Sequence, residues 1–82
     1  MNQNRKKVKK VTDTEKLQEK IDDSGKKKGY LAEKVGLSRA GFRNCETNKA
    51  EFTARQINIL CDELYITDLE EKEAIFFAPV GA

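Results

Sequence analysis

Residues 28–48, KGYLAEKVGLSRAGFRNCETN, limit the fold of this chain more than any other stretch. Leu31, Ala32 and Val35 recur at the spacing of one helical face, and Gly36 follows at once. Gly36 can take the positive φ that stops a helix, because it has no Cβ to clash. Ser38 can accept a bond from an orphan N–H and so open a second helix. Phe42 and Cys45, at i and i+3, mark the inward face of that second helix. Ala32 is small enough for the two helices to cross closely beside it. The pattern predicts two short helices joined by a tight turn.

Leu31, Ala32, Val35, Gly36, Leu37, Ser38, Phe42, Cys45 and Glu46 together resemble the helix-turn-helix of the lambda-repressor-like family, which includes the phage Cro and repressor proteins. The match is in register and without a gap, and a looser likeness runs over residues 17–64. The resemblance implies an all-α, five-helix DNA-binding domain whose third helix, residues 39–47, enters the major groove. It also implies double-stranded DNA as partner, a homodimer on two operator half-sites, a regulatory role of the repressor kind, and no cofactor. Arg39, Ala40, Arg43 and Asn44 match the base-reading positions of the family. Their chemistry suits that task, since Arg can pair with guanine, Asn with adenine, and Ala can touch a thymine methyl. Lys28, Ser38, Asn48, Lys49, Thr53 and Arg55 fall where backbone contacts are expected, with Lys26 and Lys27 beside them. The chain departs from the family in having Lys27-Lys28 for Thr-Gln, a glycine at position 41, and Asn48 where Gly is frequent.

The remaining elements can be placed from caps and periodicity. Thr12 to Glu15, Thr53 to Gln56 and Thr67 to Glu70 each fit the S/T-x-x-E/Q capping box, so three helices are expected to begin there. Leu17 and Ile21 form the buried pair of the first helix, and Gly25 stops it. Phe52 and Ile57 have the spacing of a hydrophobic staple. Ile57, Leu60, Cys61 and Leu64 make the stripe by which the fourth helix crosses the core. Leu69, Ile75, Phe76, Phe77 and Val80 are much apolar bulk for a short fifth helix that Pro79 is expected to end. Phe76, Phe77 and Val80 are therefore candidate dimer residues, or else Ile75 and Phe76 are simply core. The domain reading is a flexible basic arm at 1–11, a helical domain at 12–78 and a tail at 79–82.

Three lysines at 26–28 open the second helix without a cap residue, against the positive end of its dipole. That placement makes sense if a phosphate lies there. Tyr30 suits either packing on the first helix or reaching a phosphate. Glu46 is expected to work inside the protein, against Arg39, Arg43 or a backbone N–H, because phosphate repels a carboxylate.

With 82 residues there is room for one small domain. Its net charge of +2 hides an asymmetry. Arg5, Lys6, Lys7, Lys9 and Lys10 crowd the start, whereas Glu51, Asp62, Glu63, Asp68, Glu70, Glu71 and Glu73 face only Arg55 and Lys72 in the last third. Such a chain suits docking one face on a polyanion. The basic start reads either as a DNA-contacting arm or as a solubilising tail. No apolar run approaches bilayer length and no apolar segment follows the N-terminal bases, so a cytoplasmic protein without a membrane partner is expected. Histidine is absent, and two cysteines cannot supply a four-ligand zinc site. An enzyme is not expected, since no nucleophile lies near a plausible base. The alternative function is a protein-binding module, an antitoxin or anti-repressor that grips its partner with the apolar C-terminal helix.

Overall fold

Five helices and one pair of two-residue strands make up residues 10–79, the part of the chain described by the computed structural model. The order is β1 (Lys10–Val11), α1 (Thr14–Ser24), α2 (Lys28–Lys34), α3 (Arg39–Glu46), α4 (Ala54–Glu63), α5 (Leu69–Phe76) and β2 (Ala78–Pro79). The helical content follows the expectation from the sequence. The strand pair does not.

Lys10 and Val11, expected in a flexible arm, pair antiparallel with Pro79 and Ala78. Pro79 does not end the last helix, because α5 stops at Phe76 and Pro79 lies in β2. Proline is acceptable there because a two-strand sheet is all edge. Residues 1–9 and 80–82, including the dimer candidate Val80, lie outside the described residues.

Only one of the three expected capping boxes forms. At Thr53, the hydroxyl accepts the Gln56 N–H at 3.1 Å and the Gln56 side chain accepts the Thr53 N–H at 2.9 Å. For α1 the cap is Asp13, whose carboxylate accepts the Lys16 N–H at 3.1 Å. Thr12 is instead buried, with its backbone bonded to Asn48. For α5 the cap is Asp68, which accepts the Glu70 N–H at 3.1 Å, so Thr67 plays no part.

Helix ends are closed by backbone hydrogen bonds at a left-handed residue in three successive cases. After α2, the Gly36 N–H reaches Glu33 C=O and the Leu37 N–H reaches Ala32 C=O, with Gly36 at φ +77°. Asn48 at φ +70° and Tyr65 at φ +61° do the same after α3 and α4. Each left-handed residue reverses the chain while satisfying carbonyls the helix leaves open.

These turns bring the apolar faces together. Leu17 and Ile21 of α1, Leu31 and Ala32 of α2, Phe42 and Cys45 of α3, Ile57, Leu60 and Cys61 of α4 and Ile75 and Phe76 of α5 share one buried core. Phe52, in the α3–α4 loop, stands edge-on between Phe42 and Phe76, with centroids 5.7 and 6.0 Å away. That geometry adds about 0.5–1.5 kcal/mol per ring pair beyond area burial. Both cysteines are buried free thiols whose pKa is pushed up by burial, which suits packing rather than redox chemistry. No helix among the described residues is long and apolar enough to cross a membrane.

Candidate functional site

α3 has two unlike faces. Phe42, Cys45 and Glu46 are buried, and Arg39, Ala40, Arg43 and Asn44 are exposed. The helix is fixed at both ends by its own residues. Ser38 Oγ accepts the Gly41 N–H at 3.0 Å, and at the other end the Lys49 N–H donates to Asn44 C=O at 2.7 Å. Gly41 occupies the first turn, where a Cβ would come within 3.2 Å of Ser38 Oγ.

The start of α2 adjoins the start of α3. A Cβ at Gly29 would lie 3.9 Å from Arg39 Cδ, and a shallow concavity runs from Lys27 and Tyr30 to Arg39. Within this region the lysines divide. The Lys28 ammonium lies 2.8 Å from Glu46, so it is not the free phosphate ligand expected from its position. Glu46 works inside the protein, but with Lys28 in place of the expected Arg39, Arg43 or backbone N–H.

Lys26 is likewise committed. Its ammonium donates to the Glu63 carboxylate and to the Glu63 carbonyl, both at 2.8 Å, and sits 4.8 Å from the centre of the Tyr65 ring. The hydrogen bond to Glu63 holds the Lys26 pKa above its ordinary value, and the same bond holds Glu63 below its own. Tyr30 does not stand free. Its hydroxyl donates to Glu63 Oε1 at 3.0 Å.

Three further backbone-contact candidates are engaged inside the protein. The Thr53 hydroxyl accepts within its capping box, which leaves its O–H as a donor. Asn48 grips the Thr12 backbone, its Oδ1 accepting the Thr12 N–H and its Nδ2 donating to the Thr12 C=O, each at 2.9 Å. Ser38 spends its acceptor on the α3 cap.

What remains is a set of uncompensated cations. Lys27, Arg39, Arg43, Lys49 and Arg55 are exposed, and none has an acidic partner at ion-pair distance among the described residues. Lys10, which the sequence places in the basic arm and not among the individual contact residues, joins them on the same terms. No local signal marks it, because its setting depends on Asn48, which lies far along the chain. Gln56 carries no such signal either: besides the capping box, its Nε2 donates to Val35 C=O at 3.2 Å and ties α4 to the end of α2.

The dimer candidates fare differently. Phe76 is buried at 4% exposure and belongs to the core, while Phe77 is 39% exposed. Among the described residues, no group of three or more His, Cys, Asp or Glu is placed to hold a metal. Comparison of the chain with family models, curated proteins and solved structures gave no match.

Proposed function

We propose that this chain is a sequence-specific DNA-binding regulator of the lambda-repressor-like kind, acting as a repressor that occupies an operator. α3 lies in the major groove, with Arg39, Arg43 and Asn44 bonded to base edges and Ala40 against a thymine methyl. Lys27, Lys49 and Arg55 meet phosphates on the flanks, and two copies read two half-sites about one helical turn apart.

One observation carries this reading: Arg39, Ala40, Arg43 and Asn44 share an exposed face of α3, and neither arginine has an acidic partner among the described residues. Of the apolar C-terminal residues on which the competing protein-binding reading rests, Ile75 and Phe76 are buried in the core, while Leu69 and Phe77 are exposed.

The test is a binding selection from fragmented genomic DNA at about 150 mM salt, where non-specific association is weak. Wild type is run beside an Arg39→Ala, Arg43→Ala, Asn44→Ala variant. Enrichment of a short inverted repeat by wild type alone is expected. Equal enrichment by both proteins, or none by either, overturns base reading by α3.

A further inference from the structure

We propose that Glu63 limits sequence-independent DNA affinity by withholding the Lys26 ammonium from the phosphate backbone. The inference rests on the DNA-binding reading above and assigns to that interface a residue outside it. Lys26, Lys27, Lys28 and Arg39 line the concavity at the start of α2, and no acid lines it with them. Arg39 also belongs to the exposed face of α3, so Lys26 borders the surface that meets DNA. Its charge is spent elsewhere. The ammonium is held at the end of α4, where the Glu63 carboxylate and carbonyl each accept from it at 2.8 Å. The rings of Tyr65 and Tyr30 have their centres 4.8 and 5.8 Å from the same nitrogen. Glu63 is itself held, since the Tyr30 hydroxyl donates to its Oε1 at 3.0 Å and the Lys34 ammonium lies 4.0 Å from its Oε2.

The backbone of Lys26 is fixed by other means. Its N–H donates to Ser24 Oγ at 3.1 Å, and that hydroxyl donates to Ile21 C=O at 2.7 Å. Loss of the Glu63 charge therefore frees the Lys26 side chain and leaves the turn before α2 in place. While the charge is present, moving Lys26 to a phosphate leaves Glu63 with only the more distant Lys34 beside a polyanion, and like charges repel. A phosphate contact strengthens binding to every duplex alike, because it carries no sequence information. The restraint thus lowers non-specific affinity and leaves the outward face of α3 untouched.

The experiment measures affinity of the full chain for a mixed-sequence DNA duplex as a function of salt. It compares wild type, Glu63→Gln, Lys26→Ala and the Lys26→Ala, Glu63→Gln double variant. Each phosphate contact contributes about 0.9 to the log–log slope. Glu63→Gln is expected to bind more tightly and to steepen the slope by that amount. Lys26→Ala is expected to keep the wild-type slope, because the ammonium it removes is already neutralised. In the double variant the steepening is expected to vanish. Circular dichroism restricts the comparison to folded variants, and the Lys26→Ala result tests the proposal without Glu63→Gln.

Three results overturn the proposal while leaving the DNA-binding reading intact. A slope made shallower by Lys26→Ala alone means that Lys26 already meets a phosphate. A slope that Glu63→Gln leaves unchanged means that the freed lysine does not reach one. Steepening of equal size with and without Lys26 means that Glu63 acts by its charge alone. A wild-type protein that binds no DNA overturns both readings together.

Discussion

Lys28, the first residue of α2, and Glu46, the last residue of α3, close an ion pair of 2.8 Å between the two helices that the Gly36 turn joins. The two ends of this pair are unequal. The Glu46 side chain is 8% exposed and the Lys28 side chain 41%.

Removing the exposed partner is therefore expected to cost more than neutralising the buried one. Lys28→Ala leaves a buried carboxylate without its cation and should lower stability by about 1–2 kcal/mol. Glu46→Gln keeps an oxygen for Lys28, buries no charge and should stay within about 0.5 kcal/mol of wild type. Urea unfolding at neutral pH decides it, and the reverse order would remove the ion pair as a tie between the helices.

The threonines that resemble capping residues should separate in the same assay. Thr53→Ala breaks a reciprocal pair of bonds and should destabilise by about 1 kcal/mol. Thr67→Ala should change stability by less than about 0.5 kcal/mol, because Asp68 caps α5. Equal losses from the two substitutions would contradict this assignment of caps.

Gly36 and Tyr65 close their helices in the same left-handed conformation, at φ +77° and +61°, with opposite consequences for substitution. A Cβ at Gly36 meets nothing within 4 Å, so Gly36→Ala tests the backbone alone and should cost about 1 kcal/mol. Tyr65→Gly should raise stability by about 0.5 kcal/mol, the strain relieved exceeding the lost contact of its ring with Lys26. Thermal midpoints moving in the same direction for both variants would refute this account.

Glu63 and Lys26 set the pH limits of their shared contact. The hydrogen bond to Lys26 depresses the Glu63 pKa, so its stabilisation is present above the ordinary value of 4.5 and fades as pH falls through the depressed value. The Lys26 pKa is raised, so its contribution is full below 10.5 and fades as pH rises through the raised value. Glu63→Gln is expected to flatten the stability profile at both ends. A profile that keeps its acid and alkaline slopes in Glu63→Gln would place those slopes on other groups.

Local patterns make the helices legible and leave the folded partners of several polar side chains hidden. The stripes Leu17–Ile21 and Ile57–Leu60–Cys61 and the stops at Gly25 and Gly36 are read from neighbours a few residues apart, and each stands as expected. The outward face of α3 follows from the burial of Phe42 and Cys45 in the same way. Lys26 and Asn48 read as phosphate ligands in the sequence because their partners lie far off in the chain. Glu63 and Thr12 are 37 and 36 residues from Lys26 and Asn48. Lys28 misleads likewise, since its partner sits at the far end of the next helix. Spacing cannot show which acid a lysine meets after folding. The capping box at Thr12 fails for the same reason: Asn48 claims the Thr12 backbone, and Asp13, next in line, caps α1. The strand pair has only two residues on each side, too few to leave a periodic trace.

α3 is packed by Phe42, Cys45 and Glu46, opened by Ser38 and closed by Asn48, and none of these is among its four outward side chains. Folding therefore places almost no constraint on positions 39, 40, 43 and 44. Random substitution there is filtered by what the helix meets, with little selection exerted by the core. On the DNA-binding reading proposed above, residues other than proline can be exchanged at these four positions without removing a core contact or a cap of α3.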